Sequence, residues 1–199
     1  MPSSPPPIAD LLARLERVFA RQGVRWFLFG AQAAILHGVA RLSADVDVTV
    51  DLGARSSREL VSALAEAGFD LRGGDAVGLV ETTRVLPFVH RASRIPVDVV
   101  LSGPGLEEQF FARVEERVVG EARVPVAAAE DLVVMKVLAG RPRDLDDVAA
   151  IIRARRGTLD VPRIRATLGL LESALDRRDL LSELDRLVTL ASRPEPPSA

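Results

Sequence analysis

The most constraining feature of this chain is a pair of apolar strands that carry carboxylates at period two: residues 45–50 read DVDVTV and residues 96–101 read PVDVVL. Successive side chains on a strand point to opposite faces. Val46, Val48 and Val50 therefore share one face, Asp45, Asp47 and Thr49 the other, and Asp98 points away from Val97 and Val99. These three acids sit where the sequence offers no nearby solvation. Side by side, the two strands bring the carboxylates together, at a desolvation cost of about several kcal/mol per ion against a total stability of about 5–15 kcal/mol. A divalent cation removes that conflict, and Mg²⁺ takes one or two carboxylates together with substrate phosphates. The competing reading of an Asp-x-Asp is a pair of strand-end acids, solvated or matched to arginines.

The segment upstream shifts the balance. Arg25–Phe29 (RWFLF) is an aromatic-rich strand that stops at Gly30, and the following AQAAILH up to His37 has helix-forming composition. A strand, glycine, helix junction lets backbone N–H groups approach an anion. The order of phosphate site, Asp-x-Asp and further strand Asp fits phosphoryl transfer from a nucleotide. Composition removes rival chemistries. The chain has no cysteine, which excludes disulfides, thiolate metal sites and cysteine nucleophiles. Its two histidines, His37 and His90, are too few for a His-rich zinc site. The formal charge of −2 over 199 residues leaves no overall footprint for nucleic acid. No stretch reaches the roughly 18 apolar residues of a membrane span and Met1–Pro7 has no positive region followed by an apolar stretch, so a cytoplasmic protein without membrane contact is expected.

The pattern along the chain predicts an α+β protein, a mixed β-sheet flanked by helices followed by a helical C-terminal subdomain. Pro/Ser-rich ends at 1–7 and 193–199 are expected to be disordered. An α/β core is expected over 8–126 and a helical subdomain over 127–192. Within the core the expected elements are helices at 8–22, 56–67 and 106–116, short paired strands at 77–80 and 85–89, and a strand at 122–126. The expected C-terminal helices are 128–139, 142–155, 161–171 and 174–191.

These residues resemble a known family. Gly30-Ala31, then Asp45-Val46-Asp47, then Asp98 in an apolar strand is similar to the signature of the polymerase-β-like nucleotidyltransferase superfamily, hG[G/S], Dh[D/E]h and h[D/E]h in order. FLFGAQAAILHGVARLSADVDVTVD and the later KVLAGRPRDLDDV resemble its AbiEii/MenT-type toxin-like branch. The resemblance implies a nucleotidyltransferase fold and transfer of an NMP from an NTP to an acceptor, with Asp45, Asp47 and Asp98 binding two Mg²⁺ ions and Asp98 also acting as general base. It implies nucleotide contacts from Gly30, Ala31, Arg41, Lys136, Asp144 and Asp147. The branch also suggests tRNA as acceptor and a cognate antitoxin as partner. In one respect the chain departs from the pattern: the second turn residue, usually Gly or Ser, is Ala31, which supplies no hydroxyl, while Gln32 offers a side-chain donor.

Lys136 is the single lysine among 26 basic residues and lies in an apolar helical segment, LVVMKVLA. A charge there must snorkel, pair with an acid or meet an anionic ligand; the resemblance selects the triphosphate. Asp144 and Asp147, three apart, share a helix face and serve either as first-turn acids complementing the helix dipole or as residues that orient Lys136 or Arg141. Arg41 and Ser43 directly precede the acids and are placed to touch phosphate or acceptor. His37 reads as packing or capping, Trp26 and Phe27 as sheet core, and the arginine-rich stretch 141–165 as a solvated surface or RNA-docking face. Two other readings are a fold that has lost its chemistry and binds a protein partner, for which Ala31 speaks, and a nucleotidyltransferase with a small-molecule acceptor.

Overall fold

The computed structural model describes residues 6–73 and 83–192. The predicted strand at 77–80, the tail at 193–199 and residues 1–5 of the predicted disordered start lie outside those residues. The chain divides into two compact units, Met1–Gln32 with Leu42–Ala127, and Ala33–Arg41 with Ala128–Ala199.

The first unit is built on a seven-stranded mixed sheet. In chain order it holds α1 (Pro7–Gln22), β1 (Arg25–Phe29), the start of α2 (Gly30–Leu36), β2 (Val46–Asp51), α3 (Ser57–Glu66), β3 (Phe69–Leu71), β4 (Val85–His90), β5 (Pro96–Leu101), α4 (Leu106–Phe111), β6 (Glu115–Val119) and β7 (Ala122–Val126). The strand order is β3-β4-β5-β2-β1-β7-β6, with β2–β5 and β1–β7 parallel and the other pairs antiparallel. The period-two pattern sets what each face does. Val46, Val48 and Val50, Leu86 and Phe88, Val97 and Val99, and Val124 and Val126 are buried in the core. On β1, Trp26 meets Phe19 of α1 with ring centroids 5.1 Å apart, and Phe27 turns the other way onto Phe111 of α4 at 4.9 Å. The expected core roles of Trp26 and Phe27 are thus observed. α3 is opened by a capping box in which Ser56 and Glu59 exchange hydrogen bonds, a device that satisfies two backbone donors at the helix start.

Several predicted boundaries are corrected. α1 begins at Pro7, where a proline is tolerated because a first-turn N–H has no helical partner. The helix predicted over 106–116 ends at Phe111, and Glu115–Val119 is instead an edge strand that forms a hairpin with β7 through Gly120 and Glu121. The β-branched Val118 and Val119 favour extended backbone, and Gly120 supplies the positive φ (62°) the turn needs. β6 buries none of its residues fully, and its less exposed positions carry Glu115, Arg117 and Val119 while Val118 is exposed, so no apolar alternation marks it. β3 is three residues long, too short to show a period-two pattern.

His90 closes β4 and is buried, its Nδ1 2.8 Å from the Ser93 hydroxyl and its ring 5.1 Å from that of Phe69. Burial pushes its pKa below the ordinary value, against an attraction from Asp10. The folded state therefore holds a neutral imidazole. Its contribution to stability is present above the unfolded value of about 6.5 and is lost as pH falls through the lower folded value. Thermal melts at pH 7.5 and 5.5 should show the wild type losing stability on acidification, and His90→Gln losing less.

The second unit is helical. Besides the remainder of α2 it contains α5 (Ala129–Ala139), α6 (Pro142–Ala154), α7 (Val161–Leu175) and α8 (Leu180–Ser192). α5 is buried on nearly every side and packs against α6, α7 and α8, as an all-round apolar helix must. The break predicted at 172–173 between the last two helices is corrected to 176–179: α7 runs on to Leu175, and its C-cap Asp176 takes the left-handed conformation (φ 50°). Asp tolerates that conformation better than most residues, so the break occurs without Gly or Pro. Among the described residues no helix is long and apolar enough to cross a membrane.

Candidate active site

The acids stand at one end of the sheet in the first unit. Asp47 and Asp98 are register partners on the adjacent parallel strands β2 and β5, whose spacing of about 4.8 Å puts both carboxylates on the same face. The row continues across the sheet, Phe29 opposite Asp47 on β1 and Pro87 opposite Asp98 on β4. Asp45 lies one residue before β2 and is exposed. The expectation of three acids without nearby solvation is thereby corrected. Asp47 is half-buried and the Asp98 side chain is 40% exposed; both lie in the first half of two central strands of the sheet.

Their neighbours explain how the charges coexist. The Asp45 carboxylate accepts a hydrogen bond from the Ser43 hydroxyl, and Arg72 Nη2 donates to Asp98 Oδ1 at 2.5 Å. Gln32 Nε2 donates to the Ser43 carbonyl at 3.3 Å, so Gln32 braces the loop that carries Ser43. Gly30 is required twice over. Its φ is 67°, a region that disfavours side chains, and a Cβ there would overlap the Asp47 carboxylate, whose Cγ would lie 2.8 Å away. The turn after β1 is therefore packed directly on an acid. Ala31 is buried, so its methyl group is part of the packing.

The residues present suit a hard divalent cation in kind. The donor set is all oxygen, two carboxylates are paired in register, and a third stands two residues upstream, which matches the carboxylate ligation of Mg²⁺. Among the described residues no three His, Asp or Glu side chains already surround a single point. Arg72 donates to Asp98 and Ser43 to Asp45.

The remaining predicted residues gather in the second unit. Lys136 is 5% exposed, and its ammonium donates to Asp144 Oδ1 at 2.9 Å and Asp147 Oδ2 at 2.8 Å. Arg41 Nη1 reaches both oxygens of Asp147 at 2.8 and 2.6 Å, and Arg141 Nε reaches Asp144 Oδ2 at 2.5 Å. Burial pushes the Asp144 carboxyl pKa up, but the hydrogen bonds from Arg141 and Lys136 outweigh it and hold the group below the usual range. The spacing of three between Asp144 and Asp147 puts both acids over Lys136, so of the three readings open to this lysine the structure displays pairing with acids. Sequence reasoning did not find Arg72, which follows an illegible strand, nor the Arg41–Asp147 pair, whose members lie 106 positions apart. His37 is buried at the end of α2, its N–H on the Ala33 and Ala34 carbonyls.

Comparison with known proteins bears on the fold and the family. Among solved structures the chain is similar to an antigenic nucleotidyltransferase-like protein from Paracoccidioides brasiliensis (16% identity, TM-score 0.55, 89% of this chain and 92% of that one). It is also similar to the antibiotic-resistance factor ANT(2'')-Ia (14%, 0.60, 85% and 95%) and to the lincosamide antibiotic adenylyltransferase LnuA (12%, 0.51, 75% and 96%). At these identities the likeness establishes the fold, which is that of nucleotidyltransferases. Curated proteins give no match. The profile of the family described as "Nucleotidyl transferase AbiEii toxin, Type IV TA system" matches residues 10–197, nearly the whole chain, and the chain accordingly belongs to the AbiEii nucleotidyltransferase toxin family and is a nucleotidyltransferase.

Proposed function

We propose that this nucleotidyltransferase is the toxin of a toxin–antitoxin pair, transferring a nucleoside monophosphate from an NTP to the 3′ end of a tRNA with Mg²⁺ as cofactor. The observation that carries the chemistry is the register pairing of Asp47 with Asp98 on adjacent parallel strands, beside a glycine turn packed on Asp47. Asp45, Asp47 and Asp98 would hold the metal. When bound, such a cation pair neutralises charge on the entering and leaving oxygens of an in-line displacement. Asp98 takes the proton of the acceptor hydroxyl, the new bond forms between that oxygen and the α-phosphorus, and pyrophosphate leaves with the electrons of the broken bond. Gly30 and Ala31 contact the nucleotide through their backbone. Arg41, Lys136, Asp144 and Asp147 form the nucleotide-binding group of the second unit, its cations oriented by the two buried carboxylates. The arginine-rich stretch 141–165 serves the RNA, and a neighbouring antitoxin protein restrains the enzyme.

The test is incubation of the purified protein with each α-labelled NTP, total cellular RNA and Mg²⁺. Label should enter RNA of tRNA size and disappear with EDTA, and expression should arrest growth unless the antitoxin is co-expressed. Label confined to a small-molecule fraction would move the acceptor to that class. No transfer from any NTP, with a protein co-purifying, would make the chain a binding module.

A further inference from the structure

From the metal reading above, we infer that Arg72 is an internal counter-cation of the acidic site, occupying Asp98 until a divalent metal displaces it and thereby setting the metal affinity. The placement is built into the sheet. The Arg72 N–H donates to the Pro87 carbonyl at 2.7 Å, continuing the β3–β4 ladder by one residue, and Pro87 is the register partner of Asp98, which is the register partner of Asp47. One row across four strands therefore runs arginine, proline, carboxylate, carboxylate. The side chain between the cation and the acids is a compact ring, over which the guanidinium reaches Asp98 Oδ1 at 2.5 Å. An arginine placed in that row offsets the repulsion of two carboxylates carried in register on strands about 4.8 Å apart whenever no metal does so.

The pair is also made to open. The Arg72 and Asp98 side chains are 43% and 40% exposed, and ion pairs with that much water around them are weak. A divalent ion brings twice the charge to the same oxygens, and the released guanidinium is received by solvent. The pair thus competes with metal without blocking it. Arg91, which pairs with Asp70 at the same sheet edge and is similarly exposed, does not touch the acidic row and serves as a control for loss of one positive charge nearby.

The test is Mn²⁺ binding to the full-length metal-free protein at low ionic strength, read as free Mn²⁺ by electron paramagnetic resonance. Arg72→Gln should bind Mn²⁺ about two- to five-fold tighter than wild type, the range set by exposed ion pairs. Arg72→Lys should fall between the two, Arg91→Gln should stay at the wild-type value, and 0.5 M NaCl should shrink the difference, since screening weakens exposed pairs. Unchanged or weaker Mn²⁺ binding in Arg72→Gln, with wild type binding normally, overturns the role of Arg72 and leaves the metal site standing. Absence of Mn²⁺ binding in every variant, with Asp47→Asn indistinguishable from wild type, overturns the metal reading and the Arg72 inference together.

Discussion

Asp47→Asn should lower nucleotidyl transfer by about 10³-fold or more while leaving the protein folded. The proposed role of Asp47 is to hold the cations that neutralise charge in the transition state, a contribution of about several kcal/mol at roughly 1.36 kcal/mol per tenfold in rate. The asparagine is nearly isosteric, so it can keep the packing against Gly30 that leaves no room for a Cβ. It has one oxygen and no charge, so the ligand is lost while the shape is kept. The measurement is incorporation of α-labelled NTP at saturating Mg²⁺, with a thermal melt on the same preparation. Asp98→Asn should lose activity as well, about 10²–10⁴-fold if the proton is taken there, but its loss should respond to pH differently, because a base is removed as well as a ligand. Labelling by Asp47→Asn at the wild-type rate would sink the assignment of the acidic row, whatever the fold resemblance suggests.

The acidic row was legible because it rests on the simplest periodicity a chain can carry. DVDVTV and PVDVVL place valines on one face and the carboxylates on the other, and that alternation alone puts Asp47 and Asp98 opposite the valine core, although Thr49 on the carboxylate face is itself buried. Gly30 was legible as a turn, but not the reason for it: the approach of Asp47 comes from a strand 17 positions later, and nothing local encodes it. The same holds for Arg72. It follows a three-residue strand with no room for a pattern, and its partner lies 26 positions away. β6 was lost for a different reason, since an edge strand buries neither face and its charges read as a helix surface. In the helical unit the i, i+3 spacing gave the shared face of Asp144 and Asp147, and Lys136 was marked by being alone. That the lysine sits under both acids required the packing of α5 on α6, which side-chain periodicity in either helix leaves open.

Lys136→Met should be the most destabilising single change at the predicted nucleotide-binding group. The wild-type ammonium is buried, as are the two carboxylates it bridges, with exposures of 5%, 6% and 4% for Lys136, Asp144 and Asp147. Removing one partner of a buried ion pair leaves uncompensated charge and costs about 3–5 kcal/mol, or roughly 6–20 °C in melting temperature for a chain of this size. Asp147 keeps Arg41 and Asp144 keeps Arg141, so the loss should fall toward the lower end. Adding Asp144→Asn and Asp147→Asn to Lys136→Met should recover part of it, because the orphaned charges go with the lysine, and the effects of the three changes will not add. Acid supplies an independent check. The folded Asp144 carboxyl titrates below its ordinary value of about 3.8, so its contribution is whole above that pH and disappears as pH falls through the lower folded value. Stability of the wild type should therefore drop more steeply below pH 4 than that of Asp144→Asn, in melts compared at pH 6 and pH 3. If Lys136→Met melts with the wild type, the lysine is not holding the two acids together, and the cluster would owe its order to Arg41 and Arg141 instead.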